Sequence, residues 1–117
     1  MQEPVTIVSD GLELAGILHI PDGMTPAEQR PAFIVLHGFG TNKNGTTPTQ
    51  AAEILEDLGY VVLRFDARGC GESGGDPTFI LCQDQVRDTH AAVSFLTAVD
   101  HVDATRIGVL GHSFGGA

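Results

Sequence analysis

The sequence predicts an α/β protein in which an antiparallel hairpin is followed by parallel strands with flanking helices. Three observations carry this expectation. Two β-rich runs near the amino terminus are separated by Asp10-Gly11, a dipeptide in which both residues tolerate the positive φ of a tight hairpin turn. Further along, short apolar runs alternate with stretches of helical periodicity, as in a sheet covered on both faces. Each of those later runs empties into a glycine-rich segment, at residues 37–40, 66–75 and 111–116.

The elements follow in order. Val5 to Ser9 and Leu12 to Ile20 form the opening ribbon, and Pro21 to Pro31 is a polar loop. Ala32-Phe33-Ile34-Val35-Leu36 is continuously apolar, the signature of a strand buried on both faces, and it ends at His37-Gly38-Phe39-Gly40. Thr47-Pro48-Thr49-Gln50 has the form of a capping box with proline at the first helical position. Ala51, Ile54, Leu55 and Leu58 then recur at helical spacing until Gly59. Tyr60 to Phe65 is a second buried strand. A helix from about Gln83 to Val99 places Val86, His90, Val93, Leu96 and Val99 or Ala98 on one stripe, and Arg106 to Leu110 is the third buried strand. Because ligands bind at the carboxyl ends of strands in such sheets, the three glycine-rich segments are expected to meet on one rim.

Length and composition narrow the function classes. With 117 residues, 42% hydrophobic and 18% charged, the chain has the size and apolar content of one globular domain. A net charge of −9 with only six Lys and Arg excludes nucleic acid as an expected partner, since phosphate binding needs clustered cations. Met1-Gln2-Glu3-Pro4 lacks the basic and apolar regions of a secretory signal. No run approaches the roughly 18 apolar residues of a membrane span, so no membrane association is expected and a cytoplasmic location is. Cys70 and Cys82 match neither a metal spacing nor a disulfide framework and read as reduced structural thiols; no metal and no cofactor are expected.

The chemistry lies in Gly111-His112-Ser113-Phe114-Gly115-Gly116, which follows directly on a strand. A serine with glycines two positions to either side, at a sharp strand-to-helix turn, becomes an exposed nucleophile. The pattern alone is weak: Gly71-Glu72-Ser73-Gly74-Gly75 fits it too, and glycine, at 15 residues, is about twice as frequent as usual. Context separates them, because Ser73 lies deep in a loop that continues into Asp76-Pro77. Ser113 is therefore the candidate nucleophile, against the alternative of an incidental serine in a glycine-rich turn. An oxyanion hole needs two backbone N–H donors; Phe114 can supply one and Phe39, in the turn after the neighbouring strand, the other, although chain reversal alone also explains that turn.

None of the five histidines is a convincing base for Ser113. His112 is expected to point away from the nucleophile, and His90 to be packed in the core. His19 and His101 read as strand-end or loop residues, and His37 as a residue that structures the oxyanion turn. Asp66 and Arg68 read as a loop-fixing ion pair or hydrogen-bond network. A competing enzyme class comes from Gly69-Cys70-Gly71-Glu72-Ser73-Gly74, which fits a dinucleotide-binding fingerprint but is followed by Pro77 where a helix should open.

Taken together, His37-Gly38-Phe39-Gly40, the loop Asp66-x-Arg68-Gly69-x-Gly71-x-Ser73 and Gly111-His112-Ser113-Phe114-Gly115-Gly116 resemble the α/β-hydrolase superfamily. The match is close to its serine esterase and serine aminopeptidase-like branch, which includes cinnamoyl and feruloyl esterases. The resemblance implies that Ser113 attacks the carbonyl of a small-molecule acyl ester, that the Phe39 and Phe114 amides hold the oxyanion, and that water releases the acyl group. In that family the triad acid and histidine follow the nucleophile elbow, and neither can be assigned here. The expectation is thus the N-terminal half of an α/β-hydrolase sheet, truncated at the elbow. Such a piece would have negligible turnover alone and would self-associate through an exposed sheet edge, or pair with another chain supplying the missing strands. Ester, thioester and amide substrates all remain open.

Overall fold

The computed structural model describes residues 1–38, 42–75 and 82–111. Its elements run β1 (Gln2–Ser9), β2 (Leu12–His19), β3 (Arg30–Leu36), α1 (Thr46–Asp57), β4 (Val61–Phe65), α2 (Cys82–Thr97) and β5 (Val102–Gly111). The strands form one sheet in the order β1-β2-β4-β3-β5. β1 and β2 pair antiparallel through a turn in which Asp10 (φ 50°) and Gly11 (φ 77°) both take the left-handed conformation that a type I′ hairpin demands. β2 also runs antiparallel to β4, whereas β3 lies parallel to both β4 and β5.

Alternation along the strands divides the interior into two unequal layers. Ala32, Ile34 and Leu36 of β3 and Val61, Leu63 and Phe65 of β4 face Ala92 and Leu96 of α2, together with Ile7, Leu14 and Leu18 of the hairpin. The opposite face is sparser: Val35 and Val62 pack on Ala52 of α1, with Ala51 and Leu55 beside them. Two polar side chains, His19 and Arg64, are buried on that face as well. Every buried side-chain nitrogen and oxygen among the described residues has a partner.

Several local expectations are corrected. α1 opens two residues earlier than the capping box implies: its N-cap is Gly45, no side chain caps it, and Pro48 is third in the helix, where a missing N–H is still harmless. The helix closes in a Schellman motif, with Gly59 N–H donating to the Glu56 carbonyl (2.9 Å) and Tyr60 N–H to that of Leu55 (3.0 Å). Its inner face is Pro48, Ala51, Ala52 and Leu55, so Ile54 and Leu58 point outward, 60% and 68% exposed. α2 is likewise rotated: Val86 and His90 are exposed and Asp88, Ala92 and Leu96 lie against the sheet, so His90 is not a core histidine. The cause is Asp88, whose paired carboxylate draws a polar position inward that periodicity alone reads as outward. β5 begins at Val102, ahead of Arg106, because Arg30 already pairs with Val102 before a register shift brings Ala32 beside Ile107.

Candidate active site at the carboxyl rim

Register fixes the rim. Leu36, the last residue of β3, is the partner of Phe65 at the end of β4 and of Gly111 at the end of β5. The carboxyl ends of β4, β3 and β5 therefore lie side by side. A cleft of about 200 Å³ opens where β3 and β5 end against the start of α1, lined by Val35, Leu36, Pro48, Ala51, Leu110 and Gly111. Phe39, His112, Ser113 and Phe114 lie outside the described residues, and what the structure supplies is the frame from which they depart.

The loop after β4 is the most heavily tied part of that frame. Asp66 N–H donates to the Ala15 carbonyl (2.9 Å) and Gly74 N–H to that of Glu13 (2.9 Å), while Gly69 N–H closes the loop on the Gly74 carbonyl (2.8 Å). Ser73 is a structural residue whose hydroxyl donates to the Asp66 carbonyl (2.6 Å) and accepts from Ala15 N–H (2.8 Å). Residues 69–74 form turns and open no helix, and Glu72 N–H is directed into the Asp66 carboxylate (2.9 Å), so the dinucleotide fingerprint does not form a phosphate cradle.

Asp66 and Arg68 do fix this loop, though through two separate networks. The Asp66 carboxylate takes the backbone N–H of Lys43 on Oδ1 (2.7 Å) and the Lys43 ammonium on Oδ2 (2.8 Å). Lys43 also reaches Glu72 (2.8 Å); burial pulls its pKa down, but the bonds to Asp66 and Glu72 outweigh this and leave it raised. Arg68 turns the other way. It donates through Nε (3.1 Å) and Nη2 (2.8 Å) to the buried Asp88, and through Nη2 to Asp10 (2.9 Å), and hydrogen bonding to Asp88 leads in raising its pKa. Ser9 completes the set by donating to Asp88 (2.8 Å).

Among the histidines, His37 ties the end of β3 to the loop after β4. Its Nε2 accepts from Ala67 N–H (3.1 Å), which leaves the ring proton on Nδ1 to donate to the Gly38 carbonyl (2.8 Å). His19 is a strand-end residue, as its sequence position indicates, but it is fully buried and lies between Glu56, which accepts from Nδ1 (2.8 Å), and Arg64, which donates to Nε2 (2.9 Å). Burial leads in lowering its pKa, so the contact with Glu56 is a hydrogen bond from a neutral imidazole at pH 7. His101 sits in the turn before β5 beside the Glu28 carbonyl (3.2 Å). Sequence reasoning missed Lys43, Asp88 and Arg64. Arg64 carried a signal, being a lone charge inside the buried run Tyr60 to Phe65, and Lys43 carried a fainter one as the chain's single lysine.

Among the described residues no cluster of His, Cys, Asp and Glu could hold a metal, and no helix is long and apolar enough to cross a membrane. Cys70 is a free thiol with its pKa raised, chiefly by burial.

Known proteins share this arrangement. The thiohydrolase AneE of Aspergillus aculeatus is 37% identical over 109 residues, 92% of this chain and 32% of that protein. Among solved structures, Est1E of Butyrivibrio proteoclasticus with bound ferulic acid superposes with a TM-score of 0.87 at 28% identity, covering 96% of this chain and 43% of that one. GrgF of Penicillium sp. gives a TM-score of 0.89 at 29% identity, with 99% and 39% covered. The chain spans about a third of the length of the curated relatives it matches, 33% and 32% for two of them. The model of the alpha/beta hydrolase fold matches residues 31–117, which takes in the rim from the first glycine-rich segment to the last. With that match, the strand order and the convergence at Leu36, the chain belongs to the α/β-hydrolase fold family.

Proposed function

We propose that residues 1–117 are the amino-terminal part of a single α/β-hydrolase domain, and that the whole protein is a serine hydrolase acting on a carboxylic ester through an acyl-enzyme. Ser113 is the nucleophile, and the backbone N–H groups of Phe39 and Phe114 receive the oxyanion. The triad acid and histidine come from outside this chain. The histidine takes the Ser113 proton as Oγ attacks the carbonyl carbon and returns it to the departing alkoxide; water then releases the acid by the reverse steps. The observation that carries the reading is the register of Leu36 with both Phe65 and Gly111, which starts the candidate donor turn and the candidate elbow from adjacent strands.

A thioester is the second reading, favoured by the likeness to AneE, which is named a thiohydrolase. We place the protein in the cytoplasm, where a partly exposed free thiol such as Cys70 stays reduced. Residues 1–117 alone would self-associate along β5, whose Val109 and Leu110 are 51% and 44% exposed.

The test is covalent labelling of the full-length protein with a fluorophosphonate, alongside hydrolysis of p-nitrophenyl acetate and its thioacetate counterpart. Labelling confined to Ser113, with turnover abolished in Ser113→Ala, is expected. Turnover that survives Ser113→Ala refutes the proposal.

A further inference from the structure

The turn that carries the proposed Phe39 donor leaves β3 at Leu36 and enters α1 at Thr46. At both of its described ends it is fastened to the same dipeptide, Asp66-Ala67. At the near end Ala67 N–H donates to His37, whose other ring nitrogen holds the Gly38 carbonyl. At the far end Lys43 is bound to Asp66 twice, once through its backbone N–H (2.7 Å) and once through its ammonium (2.8 Å). The Lys43 carbonyl accepts a further bond from Arg64 Nη1 on β4 (2.7 Å).

The Lys43 and Asp66 side chains are 3% and 1% exposed. A buried ion pair of this kind adds little stability over well-packed apolar residues, and what it does supply is a fixed geometry. The site is shaped to hold it: Gly71 has φ +49°, and a Cβ there would collide with the Asp66 carboxylate, which accepts Glu72 N–H as well. With two backbone donors and one ammonium, the Asp66 carboxylate is engaged on both oxygens, which suits an anchor and not a proton acceptor for substrate.

We infer that Lys43 is a positioning residue for the oxyanion hole: its clamp on Asp66, together with the His37–Ala67 bond, holds Gly38 and Lys43, the two described ends of the connection that carries the proposed Phe39 donor. This inference rests on the function proposed above. Oxyanion stabilisation depends on donors held at hydrogen-bond distance from the developing charge, so loosening one end of the turn should reduce kcat with little effect on substrate binding.

The experiment uses the full-length protein with p-nitrophenyl acetate and compares Lys43→Met, Lys43→Arg and Ser113→Ala, with circular dichroism and thermal melting on each. Removing one oxyanion donor outright lowers kcat about 100- to 1,000-fold. Displacing one through Lys43→Met is expected to lower it roughly 10- to 100-fold, with KM held within about threefold. Affinity for a boronic acid that forms a tetrahedral adduct with serine should fall in parallel, and Lys43→Arg should recover part of the loss. A folded Lys43→Met with kcat within about twofold of wild type overturns the inference, as does a loss that only tracks the unfolded fraction. If Lys43→Met does not fold, the neutral Lys43→Gln decides: a lower kcat at unchanged KM and melting temperature supports the inference, and wild-type kcat overturns it. Loss of turnover in Ser113→Ala with wild-type kcat in a folded Lys43→Met sinks this inference alone. Turnover in Ser113→Ala sinks the function reading, and this inference with it.

Discussion

Ser73→Ala separates the structural serine from the proposed nucleophile. The change deletes one bond donated to the Asp66 carbonyl (2.6 Å) and one accepted from Ala15 N–H (2.8 Å), and both groups are only partly reached by water. Each bond is worth about 1 kcal/mol net, and a stranded, half-buried N–H adds to the loss, giving about 2–3 kcal/mol. The backbone bonds from Asp66 N–H and Gly74 N–H to β2 remain, so the loop should loosen without detaching. Hydrogen exchange on the full-length protein reads this directly: the Ala15 amide should exchange about 10- to 100-fold faster, since 1.4 kcal/mol is a factor of ten. Fluorophosphonate labelling at Ser113 should persist. Unchanged exchange at Ala15, together with stability within about 0.5 kcal/mol of wild type, would show that solvent replaces the hydroxyl and that Ser73 does not pin the loop.

Asp88→Ala strands Arg68 and Ser9 and should lower stability by about 3–5 kcal/mol, toward the lower end because Asp10 and Asp84 still reach the guanidinium. Urea denaturation measures it, and a loss under about 1 kcal/mol contradicts the role given to Asp88. His19 predicts acid sensitivity: its pKa is held below 6.5, so the unfolded chain protonates first and stability falls as pH drops below about that value, until the folded imidazole titrates as well. Melting temperature should decline between about pH 7 and 5, and His19→Gln should flatten that slope; an unchanged slope assigns it to other groups.

The fold was largely legible because its signals are local. Asp10-Gly11 needs only its own backbone to make a hairpin, and the run from Ala32 to Leu36 is apolar whatever lies beyond it. Helix faces were less legible. In α1 the sheet is contacted by small residues, Ala51 and Ala52, and the larger Ile54 and Leu58 that dominate the periodicity lie outside. In α2 the inward Asp88 breaks the apolar stripe, and its burial makes sense only once Arg68 is known to meet it from twenty positions away. Lys43 fails for the same reason. Between Asn42 and Asn44 it reads as a solvated loop residue, and its two carboxylate partners lie on another loop. The pattern Asp66-x-Arg68 announced a network, but pairing the two residues with each other was the natural first reading, whereas each faces a different side of the sheet.

That divergence gives the loop after β4 its mechanical character. Through Asp66 it is joined to the β3–α1 connection on the sparser side of the sheet, through Arg68 to α2 and the hairpin turn on the richer side, and through Ser73 to β2. Apolar packing could not do this work at a rim, where water competes and hydrophobic contacts specify no direction. Charged hydrogen bonds are directional and about twice as strong as neutral ones, so a few of them can define the position of a turn that buries little surface. The arrangement also explains why the polar groups are so completely paired: each clamp holds only while all its partners are in place, because a buried group left alone loses more than the bond itself supplied. Fixing the loop from three sides also fixes Gly38 and Lys43, the anchors that flank the proposed Phe39 donor. Anchors held in place before reaction are what an oxyanion site requires, because donors that are already positioned need no reorganisation as charge develops.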